Sequence, residues 1–245
     1  GKPGLEYIIE ECIEAGIKEI VFIISKKKLM IKKYFYNDKF YKDIIKKKND
    51  PKIVKEYKKI LKYKKMIKFV FQDKPLGTGD AVYKTKKFIT DKYFLMLLPD
   101  DLIIKKNCSK SMITVHNKFK ASVMASMKVN KNDVSRWGIY NIRKKIDKNN
   151  FIINNVVEKP SIKTSPSNNA VIGRYILPKT IFSKLKSLKP GKSGEFHITD
   201  AIQALIEDDN QFIGHNFSGK YLDCGTMKGY IKSTLEISKQ WNFAW

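Results

Sequence analysis

YFLMLLPDD, residues 93–101, is the stretch that decides the fold. Tyr93–Pro99 is an apolar run of strand length with no polar break, the pattern of a strand covered on both faces, and it ends on two adjacent carboxylates. Working toward the N-terminus, Ile67–Gln72 and Glu19–Ser25 (EIVFIIS) are shorter runs of the same kind. Leu5, Ile8, Ile9, Cys12 and Ile13 fall on one helical face that closes at Gly16. The lysine-rich residues 27–66 carry aromatics and isoleucines at helical intervals and read as two helices broken near Asp50-Pro51. Asp73–Gly79 reads as a loop, followed by a helix to about Phe88. Toward the C-terminus, Ser109–Lys120 reads as helix. Ala121–Val129, Trp137–Ile142, Phe151–Val157 and Ala170–Leu177 read as strands, and Pro178–Leu188, Thr199–Glu207 and Lys228–Lys239 as helices. This alternation predicts an α/β fold with a mixed, mostly parallel sheet, helices on both faces and a strand-rich second half.

The 245 residues (28.4 kDa) are enough for one large domain. Chains of this size bury roughly 70–75% of their unfolded surface. Segments 161–168 and 189–194 have loop composition but are too short to be domain linkers, and there is no internal repeat, so a single domain over 1–245 is expected. No run approaches the length of a membrane span, and no N-terminal secretory signal is apparent. Cys12, Cys108 and Cys224 lie far apart and outside metal-ligand spacing, and they read as reduced thiols of a cytoplasmic protein. The net charge of +25, from 49 basic and 24 acidic residues, would ordinarily suggest a nucleic-acid or membrane partner. Only Arg136, Arg143 and Arg174 are arginines, however, and specific phosphate and base readers favour arginine's planar fork. The lysine excess accompanies abundant isoleucine, asparagine, tyrosine and phenylalanine, all with AT-rich codons. Base composition accounts for it, and no specific nucleic-acid partner is expected.

In an open α/β sheet, ligands collect beyond the carboxyl ends of strands. Asp100-Asp101 sits at such an end and suits a hard divalent cation that also holds a diphosphate; as turn chemistry it would serve equally well. Gly77-Thr-Gly79 lies between a strand and a helix, where backbone amides can approach a nucleotide, but no Gly-Lys-Ser/Thr follows and it is not a Walker loop. Glu158-Lys159 closes a strand with a carboxylate for sugar hydroxyls and a point charge for phosphate, or forms a solvated surface pair. Asp223-Cys224-Gly225 precedes the last helix and reads either as a ligand position or as a cap. His116, His197 and His215 show no metal-site spacing.

The order of these pieces is more specific than any one of them. QDKPLGTGDAV (72–82), LLPDD (97–101), WGIY (137–140), VVEKP (156–160), SNNAVIGRYIL (167–177), GEFHITDAIQALI (194–206) and DCGTMKGY (223–230) together resemble the bacterial UTP–glucose-1-phosphate uridylyltransferases, a branch of the sugar-1-phosphate nucleotidyltransferases. The resemblance covers nearly the whole chain and implies a Rossmann-like (GT-A-like) nucleotidyltransferase fold with a strand-rich sugar-side lobe. It implies UTP and glucose 1-phosphate as substrates, UDP-glucose and diphosphate as products, Mg²⁺ as cofactor, and a dimer or tetramer. Gln72 matches the residue that reads the uracil edge, and Gly77 a backbone contact to the base. Asp100 matches the metal-binding aspartate, with Asp223 the second acidic position at the metal. Gly138 resembles the backbone contact to the glucosyl unit. Glu158 matches the sugar clamp, Lys159 the cation on the sugar phosphate, and Gly173 a residue lining the sugar pocket.

The family opens with a strand and a GxGTR loop, followed by a PK lysine. Gly1-Lys2-Pro3 matches a point just after that segment, so the resemblance implies an N-terminally incomplete domain with weakened activity or none. The strands at 20–25 and 94–98 would then flank the missing strand. The residues leave open a catalytically impaired paralogue that binds nucleotide sugar, a glycosyltransferase that uses one, and dTTP in place of UTP.

Overall fold

The computed structural model describes residues 2–191 and 194–239, so residues 192 and 193 of the 189–194 loop lie outside the described residues. In chain order the elements are α1 (Gly4–Glu14), β1 (Ile20–Ile24), α2 (Leu29–Tyr36), α3 (Asp38–Lys48), α4 (Pro51–Met66), β2 (Ile67–Phe71), α5 (Thr78–Tyr83), β3 (Tyr93–Leu97) and β4 (Asp101–Ile104). They continue as α6 (Cys108–Phe119), β5 (Ser122–Lys128), β6 (Gly138–Lys145), β7 (Asn150–Glu158), β8 (Asn169–Pro178), α7 (Ile181–Ser187), α8 (Ile198–Glu207), β9 (Phe212–Asn216), β10 (Lys220–Asp223) and α9 (Met227–Ser238). The chain forms two compact units. The larger comprises residues up to Gly16, Asp91–Lys184 and the chain from Ala201; the smaller comprises Ile17–Thr90 and Leu185–Asp200.

The larger unit is built on a six-stranded sheet of order β3-β8-β5-β9-β7-β6, with a separate antiparallel β10-β4 ribbon. Helix α6 lays Met112 and Val115 against Val123 and Ala125 of β5, Ile172 and Ile176 of β8, and Ile213 of β9. Tyr93 and Leu95 of β3 join that cluster. Phe94, between them, points to the opposite face, where its ring stacks on Phe182 of α7 at 5.5 Å. This sheet therefore carries helices on both faces, as expected. The two-stranded β1-β2 sheet of the smaller unit packs Phe22 edge-on against Phe35 of α2 and against Phe69 of β2. Among the described residues β1 pairs with β2 alone and β3 with β8 alone.

The sheets are mixed, but the expectation of mostly parallel pairing needs correction. Among the described residues parallel pairing is confined to β1/β2 and β5/β9, and the other ladders run antiparallel. Part of this comes from β8, which lies between β3 and β5 antiparallel to both and is buried nearly throughout. A doubly covered antiparallel strand shows the same continuous apolar run as a parallel one. Residues 27–66 hold three helices instead of two, because Asn37 interrupts them and its side chain caps α3 by accepting from Phe40 N. Strands β4, β9 and β10 are too short and too mixed in composition to stand out by periodicity.

Glu11 and Arg174 tie the larger unit together. Arg174 is fully buried in β8, and its guanidinium donates from Nε and Nη2 to both carboxylate oxygens of Glu11 in α1. Its remaining hydrogens reach the carbonyls of Leu98 (3.1 Å), Gly173 (2.9 Å) and Asp101 (2.6 Å). Glu11 also accepts from Ser109 N and Oγ at the start of α6. Arg174→Met leaves the buried Glu11 carboxyl without its cation, and is expected to cost about 3–5 kcal/mol of unfolding free energy in chemical denaturation. Adding Glu11→Gln should recover only part of that loss, because the three carbonyls remain without a donor.

Candidate functional site

The two acidic positions singled out in the sequence come together through the β4–β10 ribbon. Its register sets Asp223 opposite Asp101, and Cys224 N donates to Asp100 O at 2.8 Å. A β-carbon on Gly225 would lie 2.9 Å from Asp100 Oδ2 and 3.5 Å from Asp223 Oδ1, so both carboxylates border the space that this glycine leaves open. Asp223 accepts from Gly225 N and from Thr226 Oγ1. The cap of α9 is Thr226, which accepts from Gly229 N, so capping is not what Asp223 contributes.

Asp101, the other half of the sequence pair, has a different task. Its Oδ2 accepts from Gly173 N at 2.7 Å and its Oδ1 from Tyr221 OH at 2.5 Å. Burial pushes the Asp101 carboxyl above its usual range against the pull of these two hydrogen bonds. Burial and the Asp101 charge together push the Tyr221 phenol up. Asp101 therefore braces the turn, while Asp100 stays exposed. Among the described residues no group of three or more His, Cys, Asp or Glu side chains gathers as a metal cluster. Two carboxylates suit a hard divalent cation that completes its shell with phosphate oxygens and water.

Gly138 and Glu158 face one another across β6 and β7. A β-carbon at 138 would sit 3.0 Å from Glu158 Oε2, so the glycine provides the room in which that carboxylate lies. Lys159 follows in the left-handed region (φ 45°), its N–H donating to Trp137 O. For a residue with a Cβ this conformation is strained, and it sets the direction in which Lys159 leaves the strand. The Glu158 and Lys159 side chains are 70% and 65% exposed with 3.9 Å between their charges, too open for the ion pair itself to add much stability. Gly173 answers first to the protein: a β-carbon there would lie 2.5 Å from Leu98 Cβ and 2.6 Å from Asp101 Oδ2.

In the smaller unit, Gln72 follows β2 and its Nε2 donates to Gly77 O (3.0 Å) and to Asp80 Oδ2 (2.8 Å). Gly77 has φ 94°, and a β-carbon on it would lie 2.6 Å from Phe196 O. Gly79 N donates to that same carbonyl, and Phe196 N donates to Leu76 O. Of the two loop glycines expected to offer amides to a nucleotide, Gly79 uses its own inside the protein, because the loop is stitched to Phe196.

Two of the histidines and two of the thiols are engaged within the protein interior or its hydrogen bonding. His116 bonds Ala121 O, and His215 lies between Asn150 and Ser111, with burial lowering its pKa. Cys12 and Cys108 are buried, and burial pushes the Cys12 thiol up to about 12. Sequence reasoning missed Glu11, Asp80, Arg174 and Tyr221. Arg174 alone carried a signal, an arginine within an apolar strand of a chain whose cations are otherwise almost all lysine.

The nucleotidyl transferase family model matches residues 1–240. A UTP–glucose-1-phosphate uridylyltransferase 2 of Staphylococcus saprophyticus is 33% identical over 238 residues, 97% of this chain and 81% of that protein. A UDP-glucose pyrophosphorylase solved with UDP-glucose superposes with a TM-score of 0.83 at 32% identity, covering 98% of this chain and 88% of that one. A UTP-bound UGPase from Acinetobacter baumannii gives a TM-score of 0.88 at 27% identity, covering 99% and 84%.

The stitched loop has a measurable signature. Gly77→Ala combines a disfavoured positive φ with a clash against the Phe196 backbone, and is expected to lower the unfolding free energy by about 2 kcal/mol or more in a denaturant titration.

Proposed function

The chain belongs to the nucleotidyl transferase family, and we propose that it forms UDP-glucose and diphosphate from UTP and glucose 1-phosphate. The observation that carries this reading is that Asp100, in the turn before β4, and Asp223, at the end of β10, both border the space left open by Gly225. The names of the relatives and of the structural neighbours support it. In this reading the two compact units work as one nucleotidyltransferase domain, in the cytoplasm and as a dimer or tetramer. Among the described residues no helix is long and apolar enough to cross a membrane.

A phosphate oxygen of glucose 1-phosphate attacks the α-phosphorus of UTP. The new P–O bond forms as the α–β bridging bond breaks, and diphosphate leaves with the electron pair. No general base is required, since the attacking oxygen is already anionic at neutral pH. Asp100 and Asp223 would hold Mg²⁺, which supplies charge neutralisation for the phosphates when bound. Glu158 accepts hydrogen bonds from sugar hydroxyls, and Gly138 lets the backbone approach the glucosyl unit. Lys159 holds the sugar phosphate as a point charge, directed by its left-handed backbone. Gly173 acts by holding Asp101, and through it the turn that presents Asp100. Gln72 and Gly77 meet the uracil.

Asp100→Asn is expected to lower turnover at least about 10²-fold at saturating substrates, read as UTP regenerated from UDP-glucose and diphosphate. Wild-type turnover in that variant would remove Asp100 from the mechanism. Lys159→Gly relieves the backbone strain while deleting the cation. It should unfold no more easily than wild type, yet raise the KM for glucose 1-phosphate by about tenfold or more. An unchanged KM would refute the role of Lys159.

A further inference from the structure

We infer that Asp80 determines which nucleobase is accepted, by fixing the direction in which the Gln72 amide faces; this rests on the reading that Gln72 meets the base. The argument comes from the chemistry of two hydrogen bonds. Gln72 Nε2 lies 3.0 Å from Gly77 O and 2.8 Å from Asp80 Oδ2, and both partners are acceptors only. An amide nitrogen has two hydrogens, and both are engaged. Turned over, the amide would set its own oxygen against a carbonyl and a carboxylate, with no proton between them. The orientation is therefore forced by its neighbours.

Asp80 is the stronger of the two constraints, because a hydrogen bond to a charged acceptor is roughly twice as strong as a neutral one. Its side chain is only 17% exposed, and its other oxygen faces Lys84 Nζ at 3.5 Å, one turn on at the C-terminal cap of α5. Gln72 thus presents Oε1, an acceptor, as its free end toward a ligand. Uracil and thymine carry an imide N3–H that donates to such an oxygen. Cytosine carries a lone pair at the same ring position and would meet acceptor with acceptor. A site that pairs with one base in this way rejects a base unable to complete the bond far more strongly than shape alone would. Asp80 touches no substrate in this scheme; it is a positioning residue acting through Gln72.

The test compares UTP with CTP, as the ratio of kcat/KM values and, without turnover, as the ratio of Kd values from calorimetry. Asp80→Asn is nearly isosteric and replaces the charged acceptor by a group that can donate to Gln72 Oε1 or accept from Nε2. Only the Gly77 carbonyl then opposes reversal, so the amide no longer has one forced orientation and its NH₂ can turn to the base. It should lower the UTP-over-CTP preference by about tenfold or more, with Asp80→Ala intermediate. Because each ratio is taken on one preparation, a loss of folded protein cancels, and a merely structural role for Asp80 would lower both nucleotides equally. Gln72→Ala separates the two levels of the argument. If it keeps the wild-type preference, the base is read elsewhere and the role of Gln72 falls with the inference. If Gln72→Ala loses the preference while both Asp80 variants keep it, Gln72 reads the base unaided and the inference is overturned.

Discussion

The buried Glu11–Arg174 pair is the constraint on which the larger unit depends. A lone charge at either position would carry a desolvation cost of several kcal/mol, so each requires the other, and the five-donor guanidinium requires carbonyls as well. Those carbonyls belong to Leu98, Gly173 and Asp101. The turn between β3 and β4 is thereby held from both flanks, with α1 and the start of α6 drawn to the same point through Glu11. Asp100 stands in the middle of that turn and remains exposed. Rigid surroundings with one carboxylate left open to solvent are what charge stabilisation by a preorganised site demands.

The same logic recurs with neutral partners. Glycines at 77, 138, 173 and 225 do not behave alike, although all four lie in the motifs. Gly77 admits a positive φ and the backbone of Phe196, and Gly173 admits Leu98 and Asp101. Gly138 makes room for Glu158, and Gly225 for the carboxylates of Asp100 and Asp223. In each case a missing side chain lets an oxygen or a backbone segment occupy a place that a Cβ would deny it.

The long elements were legible from period and length. Helices α1, α6 and α9 and the buried runs of β3 and β8 announce themselves by apolar spacing. Strand direction was not legible, because β8 is apolar on both faces whichever way it runs. Nor was β4, whose Asp-Leu-Ile-Ile is too short to separate from the turn before it. The motifs marked the positions of Asp100 and Asp223 but could not divide labour within the Asp100-Asp101 pair. That division follows from Tyr221 and Gly173, whose hydrogen bonds to Asp101 arise only once distant strands meet. Asp80 escaped notice for the same reason: a carboxylate in the first turn of a helix is ordinary dipole chemistry until its partner is seen.

The β4–β10 ribbon has a bearing on how the protein is made. Tyr221 and Asp101 are 120 positions apart along the chain, and Arg174 and Glu11 are 163 apart. Contacts that span such distances form late, after the loop-closure entropy of everything between them has been lost. During synthesis the ribosome must release β10 before Asp223 can reach Asp100. A nascent chain that has folded its central sheet thus still lacks its paired acids until β10 emerges and pairs with β4.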